Sequence, residues 1–316
     1  MKAIVGYTGF VGSNLTASGD FDAKYNSGNI REAFGTKPDL LVYSGLRAEK
    51  YLANNDPEKD LLMIKDAENN ISEIAPKKLV LISTIDVFKS PLGVDENSTI
   101  DVSGLAAYGY HRYLLECRVR ENYPDALIIR LPGLFGRNIK KNFIYDFINV
   151  IPFMLNEKKF LELSGKQPEL LKYYDKQANG FYKVNVTGPE KEGLKEMFRA
   201  LGFSALNFTD SRSRFQFYDL KDLWADMNIA LNSGITLWHP ATEPVSAGEL
   251  YRYLTGEDFV NELASAPADY DFRTIHDALF NGKNGYIRDK ESVLAGIRNF
   301  VEEYSKQVPV SEGEKQ

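Results

Sequence analysis

The sequence is poor in the residues that form disulfides and metal sites. It contains one cysteine, which excludes a disulfide within the chain, and three histidines at the scattered positions 111, 239 and 276. No cluster of Cys and His has the spacing of metal ligands, so we expect no metal site.

An excess of positive charge is also missing. The 38 Lys and Arg are outnumbered by 44 Asp and Glu, and the net charge is −6. Nucleic-acid surfaces need clustered Lys and Arg, so we expect no nucleic-acid partner. The apolar runs, such as residues 79–82, are too short to cross a bilayer, and the first residues do not resemble an export signal. We therefore predict a cytoplasmic protein with no membrane partner.

A glycine-rich segment at residues 6–12, Gly-Tyr-Thr-Gly-Phe-Val-Gly, directly follows a short apolar run. A strand that ends near Gly6 and a helix that contains Asn14 would place this segment in a strand-to-helix turn. Such a turn brings backbone close to a diphosphate, and the start of the helix attracts its charge. A glycine-rich turn without a ligand is the alternative. The preceding strand favours a dinucleotide site.

Short apolar runs alternate with helical patterns in the first half of the chain. We predict strands at 3–6, 40–43, 78–83 and 127–130, a weak strand at 22–26, and a helix at 108–121. Continuous apolar runs indicate strands that are buried on both faces. This pattern predicts an α/β fold, a Rossmann-type doubly wound parallel sheet with a smaller, mostly helical C-terminal substrate lobe.

The predicted domain organisation is discontinuous. A nucleotide-binding domain would comprise residues 1–138 and 203–240, and the substrate lobe would comprise 139–202 and 241–305. A helix is expected after Ser246, which would be its N-cap. Residues 306–316 are polar and are expected to be disordered.

Four polar segments follow predicted strands or begin a helix, at residues 44–47, 83–86, 108–112 and 130–133. The carboxyl ends of parallel strands are where open α/β sheets bind ligands. Asp86 is a candidate acid or base, and a cation at position 112 would share a helix face with Tyr108 and lower the pKa of its phenol. Each segment also has an ordinary structural explanation: a turn, a helix N-cap or a packed surface pair.

The order of these motifs resembles the extended short-chain dehydrogenase/reductase superfamily, whose members include NAD-dependent epimerases, dehydratases and reductases of nucleotide sugars. The resemblance rests on the glycine segment, Ser83-Thr84 followed by Val87-Phe88, Tyr108 with a base at 112, and residues 130–136. Residues 218–223 and 241–250 continue it. Residues 42–58 and the weak second strand are most similar to dTDP-4-dehydrorhamnose reductases.

The resemblance implies an enzyme with a catalytic trio of Thr84, Tyr108 and Arg112. Tyr108 would transfer the proton at the sugar oxygen, Thr84 would hydrogen-bond that oxygen, and Arg112 would hold the nicotinamide ribose. The implied cofactor is NAD(P), and the implied partners are a nucleotide-sugar substrate and a second copy of the chain, joined through helices near 61–73 and 108–121. The residues implied at the cofactor are Gly6, Thr8, Gly9, Phe10, Val11, Gly12, Asn26, Ser27, Ser44, Gly45, Leu46, Arg47, Ser83, Tyr108, Arg112 and Leu131. Those implied at the substrate are Asp86, Pro132, Asn142 and Arg214.

Two positions depart from the family pattern. The family has lysine four residues after the tyrosine, and this chain has Arg112, whose planar fork differs from an ammonium. NAD-preferring members end the second strand with a carboxylate, whereas this chain has Asn26 and Ser27. Ser27 and Arg31 would accept a 2′-phosphate, so the sequence favours NADP slightly over NAD.

Three functions remain open at this point. The first is an NAD(P)-dependent epimerase, dehydratase or reductase of a nucleotide-activated sugar. The second is a non-catalytic NAD(P)-binding sensor or scaffold with a degenerate YxxxR site. The third is a structural subunit that uses the aromatic segment 139–182 as an assembly surface.

Overall fold

A computed structural model describes residues 1–177 and 180–307. They form two compact units. Unit 1 comprises residues 1–139, 214–245 and 269–296, and unit 2 comprises 140–213, 246–268 and the residues from 297.

These bounds differ from the predicted domains. Residues 203–213, which were expected in the nucleotide-binding domain, lie in unit 2, whereas 269–296 lie in unit 1. The late segment joins unit 1 because its backbone is hydrogen-bonded there: Asp271 N–H donates to the carbonyl of Pro91, and Ile287 N–H donates to that of Ala241.

The strands are short, and most of the longer ones lie in the first half of the chain. They are β1 Lys2–Val5, β2 Ala23–Tyr25, β3 Leu40–Tyr43, β4 Leu79–Thr84, β5 Leu127–Leu131, β6 Gly133–Phe135, β7 Met154–Leu155, β8 Tyr174–Lys176, β9 Tyr182–Val184, β10 Arg214–Phe215, β11 Phe217–Asp219, β12 Leu237–Trp238 and β13 Val245–Ser246.

The helices are α1 Phe10–Ser18, α2 Lys50–Asn55, α3 Pro57–Ile74, α4 Ala107–Asn122, α5 Phe143–Asn149, α6 Glu157–Lys166, α7 Glu190–Ala200, α8 Leu223–Asn232, α9 Ala247–Thr255 and α10 Lys290–Gln307. Short 3₁₀ helices cover Ile30–Ala33, Ile85–Val87, Pro168–Lys172, Ala205–Phe208 and Asp277–Phe280. No helix in the described part of the chain is both long and apolar enough to cross a membrane.

A six-stranded parallel sheet organises unit 1, with the order β12-β5-β4-β3-β1-β2. Ile4 of β1 lies opposite Val42 of β3 on one side and Lys24 of β2 on the other. From β1 the chain runs to β2 at the edge of the sheet and then returns to β3 on the opposite side of β1, so the strand order reverses beside β1. Ligands of doubly wound sheets bind at such a switch point. The predicted Rossmann-type fold is confirmed.

The sheet is buried on both faces, as its continuous apolar runs predicted. Successive strand residues alternate between two hydrophobic clusters: Ile4, Val42 and Val80 point into one cluster, and Val5 and Leu81 into the other. The first cluster is closed by α1 and α8 and the second by α3 and α4, through the buried side chains Leu15, Leu223, Met227, Ile64, Ile71, Leu115 and Val119.

Unit 2 contains helices, as expected, and also a small sheet that the sequence analysis did not predict. Strands β7, β9 and β8 form an antiparallel sheet in that order. Its core includes Phe160 and Tyr182, whose rings stack at 3.9 Å between centroids. The prediction of a mostly helical lobe is incomplete, because strands of two or three residues show no alternating pattern.

Two helix termini bear on the predictions for the later chain. Ser246 caps α9 as predicted: its hydroxyl accepts from Glu249 N–H, and the Glu249 carboxylate accepts from Ser246 N–H. The tail predicted to be disordered begins inside α10 at residues 306 and 307, and its remainder, 308–316, lies outside the described residues.

Candidate active site

The glycine segment forms a closely packed turn between β1 and α1. Gly6 has φ of +89°, and a Cβ there would lie 2.5 Å from the carbonyl oxygen of Ser44. A Cβ on Gly12 would lie 2.1 Å from the oxygen of Gly6. A Cβ on Gly9 would meet only that same oxygen, at 3.3 Å. The turn is therefore closed at its two ends and open at Gly9, as an anion held by backbone requires.

Helix α1 starts in a way that suits an anion. Its N-cap, Gly9, provides no side-chain cap, and its first turn has no acidic residue. Backbone N–H groups at such a start, with the helix dipole, attract negative charge. Buried Asn14 anchors the helix, because its amide donates to the carbonyl of Arg137 at 2.8 Å and accepts from Arg137 N–H at 3.0 Å.

The remaining predicted residues of this loop flank the turn. Thr8 is exposed, and Phe10 and Val11 are half-buried and pack against the core. The structure thus brings all six predicted loop residues together around one turn.

The end of β3 lies against the same turn. The backbone N–H and the hydroxyl of Ser44 both donate to the carbonyl of Val5, at 2.9 and 2.8 Å. Gly45 is exposed, and Leu46 packs against the core cluster on the α3 side. The Ser44 hydroxyl is therefore used to join the two strands, and the exposed backbone of Gly45 remains open to a ligand.

The end of β2 forms a tight turn without a carboxylate. Asn26 accepts from Gly28 N–H through its side-chain oxygen at 2.8 Å, and its own N–H donates to the side chain of Asn29 at 2.8 Å. Ser27 and Arg31 are exposed beside this turn.

Tyr108 is held at the start of α4 by close packing. A Cβ on Gly109 would lie 2.1 Å from the carbonyl oxygen of Asp86, so only glycine lets α4 approach the end of β4 this closely. Tyr108 N–H donates to the side-chain oxygen of Asn54 on α2, at 2.9 Å. The Thr84 hydroxyl accepts from Asp86 N–H at 3.2 Å and lies close enough to the Tyr108 phenol to lower its pKa. The predicted pair Thr84 and Tyr108 is therefore brought together.

Arg112 lies beneath the Tyr108 ring, with its guanidinium carbon 4.0 Å from the ring centroid. Its side chain is only 3% exposed. Nη1 donates to the Asp60 carboxylate at 2.6 Å, and Nη2 donates to the carbonyl of Arg47 at 2.8 Å. His111 is 2.8 Å from the same carboxylate. Arg112 is thus close to Tyr108, as predicted, and is bound on its other side by a buried anion.

The net effect of this environment on Tyr108 differs from the prediction. Burial raises the pKa of the Tyr108 phenol above its usual value of 10.0, and Asp86 raises it further. The charge of Arg112, the nearby Thr84 hydroxyl and the charge of Lys50 act in the opposite direction. The sequence predicted a lowered pKa from the cation alone. That prediction is wrong for the free protein, because the phenol is nearly fully buried.

Two residues that the sequence analysis did not assign also lie at this site. Lys50 of α2 forms an ion pair with Asp86, with Nζ 2.9 Å from Oδ1, and the Tyr270 hydroxyl donates to the same oxygen at 3.2 Å. Tyr270 is 184 residues from Asp86 in sequence, so no local pattern links them. Lys50 belongs to a segment whose similarity to a reductase was noted, but it had no assigned role.

Three predicted residues at the ends of β4 and β5 lie in or near the interior. The Ser83 hydroxyl donates to buried Glu116 at 2.6 Å, so this group is committed to the interior. Leu131 is a core residue that is 4% exposed, and Pro132 is half-buried between β5 and β6.

The two remaining substrate candidates have partners within their own units. Asn142 lies in unit 2, where its side-chain oxygen caps α5 by accepting from the N–H groups of Ile144 and Tyr145. Arg214 in unit 1 makes a bidentate pair with Asp269, at 2.7 and 2.9 Å. An anion at Arg214 would have to compete with this carboxylate.

Comparisons with known proteins agree with the fold. No protein-family model matches the sequence, and no curated protein matches it. Among solved structures, similar folds include dTDP-4-dehydrorhamnose reductase from Bacillus anthracis in complex with NADP, with 17% identity, a TM-score of 0.60, and coverage of 95% of this chain and 98% of that one. The Bordetella bronchiseptica enzyme WbmG in complex with NAD and UDP has 16% identity, a TM-score of 0.62, and coverage of 96% and 94%. A UDP-galactose 4-epimerase has 11% identity, a TM-score of 0.60, and coverage of 98% and 100%.

Proposed function

We propose that the protein is an NAD(P)-dependent epimerase, dehydratase or reductase that acts on a nucleotide-activated sugar. One observation carries this proposal: the glycine turn at β1 and the Thr84–Tyr108 pair at β4 lie at the carboxyl edge of one parallel sheet. That edge is where such sheets bind and transform ligands. The similar folds of a reductase, an epimerase and an NAD- and UDP-binding enzyme support it.

In this proposal the residues of the site have separate roles. A nicotinamide cofactor would exchange a hydride with a sugar carbon. Tyr108 would give a proton to, or take one from, the oxygen on that carbon, and Thr84 would hydrogen-bond the same oxygen. A phenol with a raised pKa is a weak acid, so charge close to it must favour the phenolate during proton transfer. Arg112 supplies part of that charge from below the ring.

The dinucleotide would lie across the switch point beside β1. The open turn at Gly9 and the start of α1 would hold its diphosphate, and Gly45 would lie near a ribose. Ser27 and Arg31, with no carboxylate in the turn that follows β2, favour NADP. The test is to titrate the protein with NADPH and with NADH and follow their fluorescence. Tighter binding of NADH would refute the preference.

Asp86 is the predicted substrate residue that the geometry supports best, because it lies beside Tyr108. Pro132, Asn142 and Arg214 remain predictions, as does a homodimer formed through α3 and α4. Size-exclusion chromatography with light scattering tests the dimer.

The proposed catalysis is tested with Tyr108→Phe. The variant should bind NAD(P)H like the wild type and lose about 100-fold or more of its turnover, the usual contribution of a general acid or base. Turnover is measured over a panel of nucleoside diphosphate sugars, by NADPH oxidation for reduction and by chromatography for epimerisation or dehydration. An unchanged rate in Tyr108→Phe would refute the mechanism.

A non-catalytic sensor or scaffold predicts a different result. It would bind the dinucleotide in both the wild type and Tyr108→Phe, and neither protein would convert any sugar in the panel.

A further inference from the structure

Because Arg112 is buried, the proposed site lacks an assigned group that could hold the nicotinamide ribose. Its guanidinium is bound to Asp60, to the carbonyl of Arg47 and, at 3.3 Å, to the carbonyl of Tyr108. With 3% of the side chain exposed, it acts on the phenol through charge. A cationic hydrogen-bond donor for a ligand beside Tyr108 would therefore have to come from another residue.

Lys50 is placed to be that donor. Its side chain is half-exposed, so the ammonium is accessible, and its contact with Asp86 at 2.9 Å fixes its direction. An ammonium has three donors, and the carboxylate of Asp86 takes one of them. Burial opposes the charge on Lys50, but Asp86 and Tyr270 together hold its pKa above the usual 10.5, so the group stays protonated at neutral pH.

The helix that carries Lys50 is attached directly to the helix that carries Tyr108. Lys50 and Asn54 are four residues apart on α2 and so share one face. Asn54 accepts from Tyr108 N–H at 2.9 Å. The hydrogen bond that fixes the first turn of α4 therefore also fixes the position of Lys50 relative to Tyr108.

We propose that Lys50, oriented by Asp86 and Tyr270, is the ammonium that binds a sugar hydroxyl beside Tyr108, and that Arg112 is a buried anchoring residue. This inference rests on the proposed function. The hydroxyl belongs either to the ribose of the cofactor or to the sugar of the substrate, since both present the same chemistry to an ammonium.

The experiment compares Lys50→Met, Lys50→Arg and a control, Lys59→Met. Lys59 is exposed on neighbouring α3, and its backbone N–H donates to the Asp56 side chain. For each variant we measure the dissociation constant of NADPH, the KM and kcat for the nucleotide sugar, and the urea midpoint of unfolding. Lys50→Met should weaken one ligand by about ten- to a hundredfold, the loss of a hydrogen bond from a charged group. Lys50→Arg should recover part of the loss, and Lys59→Met should change nothing.

The ligand that weakens identifies the source of the hydroxyl: a change in NADPH binding assigns the cofactor ribose, and a change in KM alone assigns the substrate. If the wild type turns over and Lys50→Met alters neither constant more than Lys59→Met does, the inference is overturned and the proposed function stands. If the wild type binds no dinucleotide, the proposed function fails first.

A ligand-free measurement tests Lys50 in either case. The pKa of Tyr108 is followed by ¹³C NMR of labelled tyrosine, with Tyr108→Phe identifying the signal. Lys50→Met should raise this pKa, because one positive charge beside the phenol is removed. A signal that titrates as in Lys59→Met would overturn the placement of Lys50 at the site.

Discussion

Removal of the Arg112 guanidinium tests the buried cluster on which the site is built. In Arg112→Met the aliphatic stem is retained and three hydrogen bonds are lost, to Asp60 and to the carbonyls of Arg47 and Tyr108. Asp60, whose side chain is 5% exposed, then loses its cationic partner in the interior.

The expected loss follows from these contacts. Breaking a buried ion pair from one side costs about 3–5 kcal/mol. The lost hydrogen bonds to two carbonyl groups add to this cost, whereas His111, 2.8 Å from Asp60, remains as a partner and reduces it. These two corrections have opposite signs, so we expect the free energy of unfolding to fall by about 4 kcal/mol.

Urea unfolding followed by tryptophan fluorescence measures the free energy of unfolding of unit 1, because Trp224 and Trp238 both lie in this unit with Arg112. The matched control is Arg118→Met on the same helix. Arg118 is 57% exposed and pairs with Glu121. The free energy of unfolding of this variant should therefore fall by less than about 1 kcal/mol. The double variant Asp60→Asn, Arg112→Met should recover part of the loss, since no buried charge is left unpaired. Equal losses for Arg112→Met and Arg118→Met would refute the anchoring role.

Three further predictions concern the glycine turn, the departure at Arg112 and a buried histidine. Gly12→Ala should abolish measurable NADPH binding in a fluorescence titration, because its Cβ would lie 2.1 Å from the Gly6 oxygen, whereas Gly9→Ala, with a nearest contact of 3.3 Å, should lower the unfolding midpoint much less than Gly12→Ala does. Arg112→Lys should lower turnover, since an ammonium cannot reach both Asp60 and the Arg47 carbonyl; a faster variant in the same assay would contradict this. Burial and the charge of Arg130 lower the pKa of His239 to about 3. Between about pH 6.5 and pH 3, His239 is therefore protonated in the unfolded chain and neutral in the folded chain. The free energy of unfolding should fall as the pH drops through this range, and it should fall less steeply in His239→Gln.

The parallel sheet was predictable because its signal is local. Residues 40–43 and 127–130 are continuous apolar runs, and the structure places them in β3 and β5 with both faces buried. The glycine spacing likewise carries its own geometry, since the contacts at Gly6 and Gly12 are made within the turn and with the adjacent strand. The glycine turn depends on residues that are close in sequence, and the strands depend on a sheet that every buried strand must join.

The antiparallel sheet of unit 2 and the surroundings of Tyr108 were not predictable in this way. Strand β7 has two residues, and its partner β9 has three, too few for a period to show. At Tyr108, the sequence shows a cation four residues later and nothing of the burial that raises the pKa of the phenol. Asp60 lies 52 residues from Arg112, and Tyr270 lies 184 from Asp86, so these pairs exist only in the folded chain.

Under the proposed function, an arginine at position 112 is better explained by a division of roles than by the decay of a site. Gly109, where a Cβ would lie 2.1 Å from the Asp86 carbonyl oxygen, lets α4 approach the end of β4 and so brings Tyr108 close to Thr84. A single lysine would act both as a charge near the phenol and as a donor to the ligand. In our proposal the charge comes from a guanidinium that Asp60 holds in the interior, and the accessible ammonium is that of Lys50, which is paired with Asp86. In this proposal Asp60 holds the group that supplies charge, and Asp86 holds the group that donates to the ligand. Either group can therefore be removed by mutation without the other.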